Sequence, residues 1–262
     1  MTARGKAYRV EEVERWLEML YIAAEGATLR QEDRRKALQV SSMLAEIDLA
    51  VKRLPKNSSI VLIDAAAGKT YVGLLAAKLV FDPIGLRSKI IGIEGDPGRV
   101  SLSMRVAARL HTSAEIECRQ ADVGDPHAWT DRPSIVAALH ACGPASDAII
   151  EQTIACEAAV LLLVPCCTSG AVASWSWARA EAERLGIPRH APVRRRFMQA
   201  LVDAERTGRL EAAGYQTEVV EFVGATVTPH NLLWRSHRVN EPKRMAAARR
   251  SLAILSEGRA NA

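Results

Sequence analysis

Several things are missing from this 262-residue chain, and each absence closes off a class of protein. No run of about 18 uninterrupted apolar residues occurs, so no stretch is expected to cross a bilayer as a helix. The first residues, Met1-Thr-Ala-Arg-Gly-Lys-Ala-Tyr-Arg9, carry no apolar signal core, and the expected state is a soluble, cytoplasmic protein. No Cys-x-x-Cys spacing exists. The five cysteines, an odd number with Cys166 and Cys167 adjacent, do not suit a secreted disulfide framework, and reduced thiols are expected.

What is present is enough for one good core. At 48% hydrophobic content, the chain has room for an α/β domain and an appendage. The net charge of +5 is modestly basic and decides little alone. Its distribution says more. Arg189, Arg194, Arg195 and Arg196 cluster in one region, and Arg235, Arg238, Lys243, Arg244, Arg249 and Arg250 face only Glu241 near the end. Such runs are either solvated faces or surfaces for RNA or phosphate.

Residues 9 to 54 read as helices: Val10, Val13, Leu17 and Leu20 recur every three to four positions, as do Leu38, Leu44, Ile47 and Val51. Pro55-Lys-Asn-Ser-Ser59 breaks the pattern. Strand and helix then alternate, with strands predicted at 60–64, 89–94, 115–118, 134–139 and 158–164 and helices near 70–81, 97–111 and 146–156. Asp96-Pro97 predicts a helix N-cap with proline in the first turn. After a longer helical region, the alternating Thr217–Val223 and the segment Leu232–Val239 form a terminal hairpin around the turn Thr228-Pro-His-Asn231. The pattern predicts an α/β, doubly wound, mostly parallel sheet with an N-terminal helical cap.

The most informative segment is Ile60-Val-Leu-Ile-Asp-Ala-Ala-Ala-Gly-Lys-Thr70, followed one strand–helix unit later by Ile90-Ile-Gly-Ile-Glu94. An apolar strand ending in Asp64 and a small-residue turn, then a second strand ending in Glu94, is how such sheets present a nucleoside: backbone N–H groups at the turn, a carboxylate for ribose. Gly68-Lys69-Thr70 fits half of a phosphate loop, but Ile63 stands where that loop needs glycine, so an NTPase is the weaker reading. S-adenosylmethionine, which has no phosphate, needs no such lysine. Glycine is again missing at Ala66 and Thr70, and because alanine is expected to keep φ negative, the turn should differ in shape from a glycine-rich one.

Two further strands end in His140-Ala-Cys142-Gly-Pro and Pro165-Cys166-Cys167-Thr-Ser-Gly170, on one rim. Small thiols packed under a pocket, a cysteine nucleophile near His140, and a zinc site are the three readings. Adjacent cysteines without Cys-x-x-Cys argue against zinc, and no metal is expected. Trp175 and Trp177, at i and i+2, cannot both face one pocket, so at least one should pack.

Together, His140-x-Cys142-Gly143 with Asp147, Pro165-Cys166-Cys167, and Thr228-Pro229-x-Asn231 resemble a branch of class I S-adenosylmethionine-dependent methyltransferases. That branch includes the eukaryotic tRNA acceptor-stem 2′-O-methyltransferases and the methyltransferase-like domain attached to glutathione-transferase C-terminal-like regions. The similarity spans about residues 36 to 239. The branch usually reads Gly-x-Gly-Lys-Gly where this chain has Ala66-Ala-Gly-Lys-Thr70, and an aromatic or histidine where Thr168 stands. The resemblance implies a Rossmann-like seven-stranded sheet of order 3-2-1-4-5-7-6 and S-adenosyl-L-methionine as cofactor. It would divide the chain into a cap (1–55), a cofactor-binding domain (56–240) and a basic C-terminal helix (241–262). Asp64, Ala66 and Gly68 would meet the methionine part, Glu94 the ribose, Asp122 the adenine amino group, and His140 the methyl side. The acceptor, expected to be RNA through a hydroxyl or nitrogen, would enter past His140, Asp147, Cys166 and Cys167, with His140 as candidate base. A non-catalytic cofactor- or RNA-binding module is the rival reading.

Overall fold

A computed structural model describes residues 8–22, 31–55, 58–165, 170–224, 227 and 231–260, with no account of side chains 22 and 256–260. The chain opens with helix α1 (Val10–Leu17), prolonged by a π turn over Glu18–Ile22, and the long α2 (Gln31–Arg53). It then alternates β1 (Ile60–Ala65), α3 (Tyr71–Ala76), β2 (Ser88–Glu94), α4 (Pro97–Arg109), β3 (Glu115–Gln120), β4 (Ile135–Leu139), α5 (Pro144–Ala155) and β5 (Val160–Val164). Helices α6 (Trp175–Arg184) and α7 (Pro192–Ala212) precede β6 (Tyr215–Glu221), β7 (Leu232–Arg238) and α8 (Pro242–Ala260). The seven strands lie in the order β3-β2-β1-β4-β5-β7-β6, with β7 antiparallel to both neighbours and the rest parallel. This is the expected sheet.

The central strands are mostly apolar because both of their faces are covered. Leu62, Ile90, Ala137 and Leu162 point to one side, where they pack with Val40, Met43, Leu44 and Ile47 of α2 and Leu74 and Leu75 of α3. The next residue in each strand, Ile63, Ile91, Ala138 and Leu163, points to the other side against Ile149 and Ile150 of α5 and Leu210 of α7. A small third cluster joins Trp177 and Ala178 of α6 to Met198 and Val202 of α7. Helix α2 is therefore a layer of the sandwich, packed directly on the sheet. The N-cap expected for α4 forms as Asp96 Oδ1 accepts from Arg99 N at 2.8 Å.

The basic clusters are more consumed by the fold than their sequence suggests. Arg235 grips Glu46 of α2 with two bonds of 2.7 Å and reaches Glu218, Arg238 meets Glu157, and Arg244 meets Glu211 as well as Glu241. Arg194 is buried, donating to Ile187 O and Glu183. Glu46, Glu157 and Glu211 lie 189, 81 and 33 residues from their arginines, so a local count of charge misses them.

Candidate active site

The turn after β1 overturns the expectation about its shape. Ala66, Gly68 and Thr70 have φ of +53°, +58° and +55°, so all three take the left-handed conformation that glycine adopts without penalty. For the two residues with a Cβ this costs roughly 1–2 kcal/mol each. The surroundings hold the strained turn in place. Ala67 N donates to Ile93 O at 3.0 Å, Gly68 N donates to Glu94 Oε2 at 2.8 Å, and the buried Thr70 hydroxyl donates to Ser103 Oγ at 2.9 Å. Thr70 also lies over Gly92 of β2, where an added Cβ would come within 3.0 Å of its side chain. The glycine-rich shape is thus kept with fewer glycines.

Beside this turn is a cavity of about 300 Å³, in the range of small-molecule sites. Its walls carry opposite charges. Asp64, 1% exposed at the end of β1, accepts from Gly73 N at 2.8 Å. That approach requires glycine, since a Cβ at position 73 would lie 2.6 Å from Ile90 Cγ2. Burial pushes the Asp64 carboxyl up to about 7, the Gly73 bond opposes this, and Glu94 adds to it. Lys36 and Val40 of α2, Lys69 of the turn and Arg99 of α4 line the same space. Lys36 Nζ sits 4.8 Å above the Tyr71 ring, and burial lowers its pKa. Tyr21 of the α1 extension closes the turn from outside, donating its hydroxyl to Lys69 O at 2.8 Å with its ring 4.4 Å from that of Tyr71.

His140 forms the far wall, just beyond β4. Its φ of +69° is left-handed, its N donates to Val164 O at 3.1 Å, and its Nε2 lies 2.7 Å from Oε1 of Gln39, a buried residue of α2. Burial lowers the imidazole pKa from its usual 6.5, and the Lys36 cation lowers it further. Both effects favour the neutral ring.

The structure brings together Asp64, Ala66, Gly68 and His140 around the cavity and places Glu94, Asp122 and Asp147 outside its lining. Glu94 stands behind the turn and outside the cavity lining, accepting from Gly68 N and, at 3.0 Å, from Asp96 N. Asp122 closes a local turn onto Gly124 N at 2.7 Å. Asp147 is bound through both oxygens, each at 2.9 Å, to Arg206, which is 1% exposed. Cys166, Cys167, Thr228 and Pro229 lie outside the described residues. Cys118 and Cys156 are free thiols, but Cys142 is disulfide-bonded, which corrects the expectation of reduced cysteines there. Trp177 is buried with Trp175 packed against its cluster. Among the described residues no group of three or more His, Cys, Asp or Glu is placed to hold a metal, and no helix is long and apolar enough to cross a membrane. Lys36 and Gln39 were not legible as site residues. Their signal is positional: Lys36, Gln39 and Val40 fall at i, i+3 and i+4, which puts a lysine and an amide on the helix face that packs on the sheet.

Residues 35–172, more than half of the chain, match the family described as Methyltransferase domain. Among solved structures, an SAH-bound methyltransferase of Podospora anserina is similar over 91% of this chain and 91% of its own, at 10% identity and a TM-score of 0.50. The magnesium protoporphyrin IX methyltransferase of Synechocystis with bound SAH is similar over 88% of this chain and 99% of its own, at 12% identity and a TM-score of 0.44. No protein of the curated set matches the chain.

Proposed function

The chain belongs to the methyltransferase-domain family, and on that premise we propose that it moves a methyl group from S-adenosylmethionine to a hydroxyl or nitrogen of RNA. One observation carries the reading: the cavity beside the left-handed turn is lined by an acid, Asp64, and by cations, Lys36 first, and ends on the imidazole of His140. An amino acid zwitterion with an adjacent sulfonium fits such a mixed lining, and among the described residues no atom lies within 4 Å of where a Cβ at Gly68 would stand, so that side of the turn has room for a ligand. Bound there, S-adenosylmethionine supplies a methyl group already activated by its sulfonium leaving group, so the protein's contribution is mainly placement.

The chain's own residues divide that work. Asp64 and Lys36 hold the charged ends of the amino acid portion, and the turn fixes the nucleoside side. His140 takes the acceptor's proton as the methyl is transferred, a role that requires the imidazole to be neutral beforehand. The RNA half of the proposal rests on charge. Arg195 and Arg196 are exposed in the first turns of α7, and Arg189 precedes them. Helix α7 ends beside the start of β6, which runs parallel to β5, so its first turn lies toward the strand ends where the cavity opens. A positive surface on that side suits a phosphodiester chain.

The test is transfer of tritium from methyl-labelled S-adenosylmethionine into total RNA, protein and small-molecule fractions. Label in RNA that disappears with His140→Ala is the expected result. Label in another fraction would replace the acceptor and leave the reaction, and cofactor binding with no transfer would favour the non-catalytic module.

A further inference from the structure

We propose that Gln39 is a positioning residue for His140: from the helix that precedes the sheet, it selects the ring nitrogen that carries the proton and holds the ring toward the cavity. The inference rests on the reading of His140 as the base. The two residues are 101 positions apart, yet Gln39 Oε1 and His140 Nε2 stand at 2.7 Å, a short hydrogen bond. Gln39 is only 6% exposed. A buried primary amide is costly unless its polar atoms are bonded, so this position would more cheaply hold another apolar residue like Val40 and Met43 beside it. An amide there makes sense as a partner chosen for the imidazole.

The chemistry of the pair fixes a direction. With Oε1 as the facing atom, Nε2 must bear the hydrogen, and the lone pair that accepts a proton resides on Nδ1. Gln39 thereby favours one tautomer of the ring. It also helps to hold a strained residue. His140 keeps a left-handed backbone, a strained state that persists only where several contacts determine it. Its N–H bond to Val164 O fixes the main chain, and Gln39 fixes the ring. The charged groups sharing the cavity are Lys36 on the same helix face, Asp64, Lys69 and Arg99. Because Gln39 is neutral, it orients the ring without stabilising the imidazolium, as a carboxylate in its place would.

The experiment is nitrogen-15 NMR of the ring-labelled full chain, with His140 assigned by its loss in His140→Asn, alongside the pH profile of methyl transfer. In the wild type the Nε2–H tautomer is expected, titrating below the ordinary histidine range. Gln39→Glu should raise that titration by about one pH unit or more and move the acid limb of the rate profile equally, with cofactor affinity within about threefold. Gln39→Leu, of similar size, should give mixed tautomers and a roughly tenfold or greater loss of rate. An Nδ1–H tautomer in the wild type overturns the proposal without any Gln39 variant having to fold. So does an unmoved His140 titration in folded Gln39→Glu. A titration that moves while the rate profile stays put retains the Gln39–His140 coupling and overturns the base reading alone.

Discussion

Asp64 makes cofactor binding depend on pH, and the dependence can be worked out from its surroundings. Buried at the end of β1, its carboxyl titrates near 7, because the loss of hydration outweighs the single Gly73 N–H bond and Glu94 adds repulsion. Without ligand, most molecules at pH 6 therefore carry a protonated Asp64. A bound ammonium or sulfonium in the cavity selects the ionised form, so binding must release a proton. If only the ionised form binds, affinity for S-adenosylmethionine falls about tenfold per pH unit below 7 and is about 30-fold weaker at pH 5.5 than at pH 8. Calorimetry at pH 6 in buffers of different ionisation enthalpy should count close to one proton released. Asp64→Asn should bind more weakly at pH 8, with neither pH dependence nor proton release. The sign for stability runs the same way: the folded pKa lies above the unfolded one, so the stability Asp64 contributes is full below about 3.8 and is lost as pH rises through about 7. Asp203, raised to about 6 by burial, adds to that slope. Wild-type affinity that is flat from pH 5.5 to 8 would show that Asp64 does not face a cationic ligand.

Three more outcomes follow from the geometry. Glu94→Ala removes the acceptor of Gly68 N and Asp96 N; since a hydrogen bond to a charged group is worth about 1.5–3 kcal/mol, cofactor affinity should fall at least tenfold by calorimetry, and unchanged affinity would detach Glu94 from the site. Ala66→Gly relieves a left-handed alanine by roughly 1–2 kcal/mol while loosening the unfolded chain by about 0.5–1 kcal/mol, so the melting temperature should hold or rise slightly. A clear drop would mean that the Ala66 methyl packs productively. Arg206→Ala takes away the buried partner that binds both oxygens of Asp147, leaving Arg209 at 3.5 Å, and should cost about 3 kcal/mol in chemical denaturation, whereas a loss under about 1 kcal/mol would mean that water and Arg209 make up for the pair.

The sheet was readable because buried parallel strands are written as apolar runs: β4 and β5 are unbroken, and β1 and β2 carry four apolar or glycine residues in a row before their acids. The edge strand β3, reading Glu115-Ile-Glu-Cys-Arg-Gln120, carries a weaker signal and extends two residues past its expected end. The helix expected over 70–81 exists, but its second half is a π turn over Ala77–Phe81, a change of winding that residue periodicity does not encode. The turn after β1 was misjudged for a different reason. Intrinsic preference argues against a left-handed alanine or threonine, and tertiary bonds from Glu94 and Ser103 override it. Asp147 was read as a rim acid because its partner, Arg206, is 59 residues away and nothing local announces the pair.

The cap shows most clearly what pattern reading leaves out. A break at Pro55 marks a change of periodicity, and it invites a division between appendage and domain. Physically, α2 belongs to both. Its apolar positions Val40, Met43, Leu44 and Ile47 cover the sheet, and Glu46 locks the same helix to Arg235 of β7. Once the helix is fixed in that way, Lys36 and Gln39 have no freedom to miss the end of β4, one turn further along. Tyr21 extends the arrangement to α1 by bonding the carbonyl of Lys69. The packing that hides the core of this protein therefore also sets the charge on the cavity and the orientation of its histidine, so a core change such as Met43→Ala should disturb the His140 titration as well as the melting temperature.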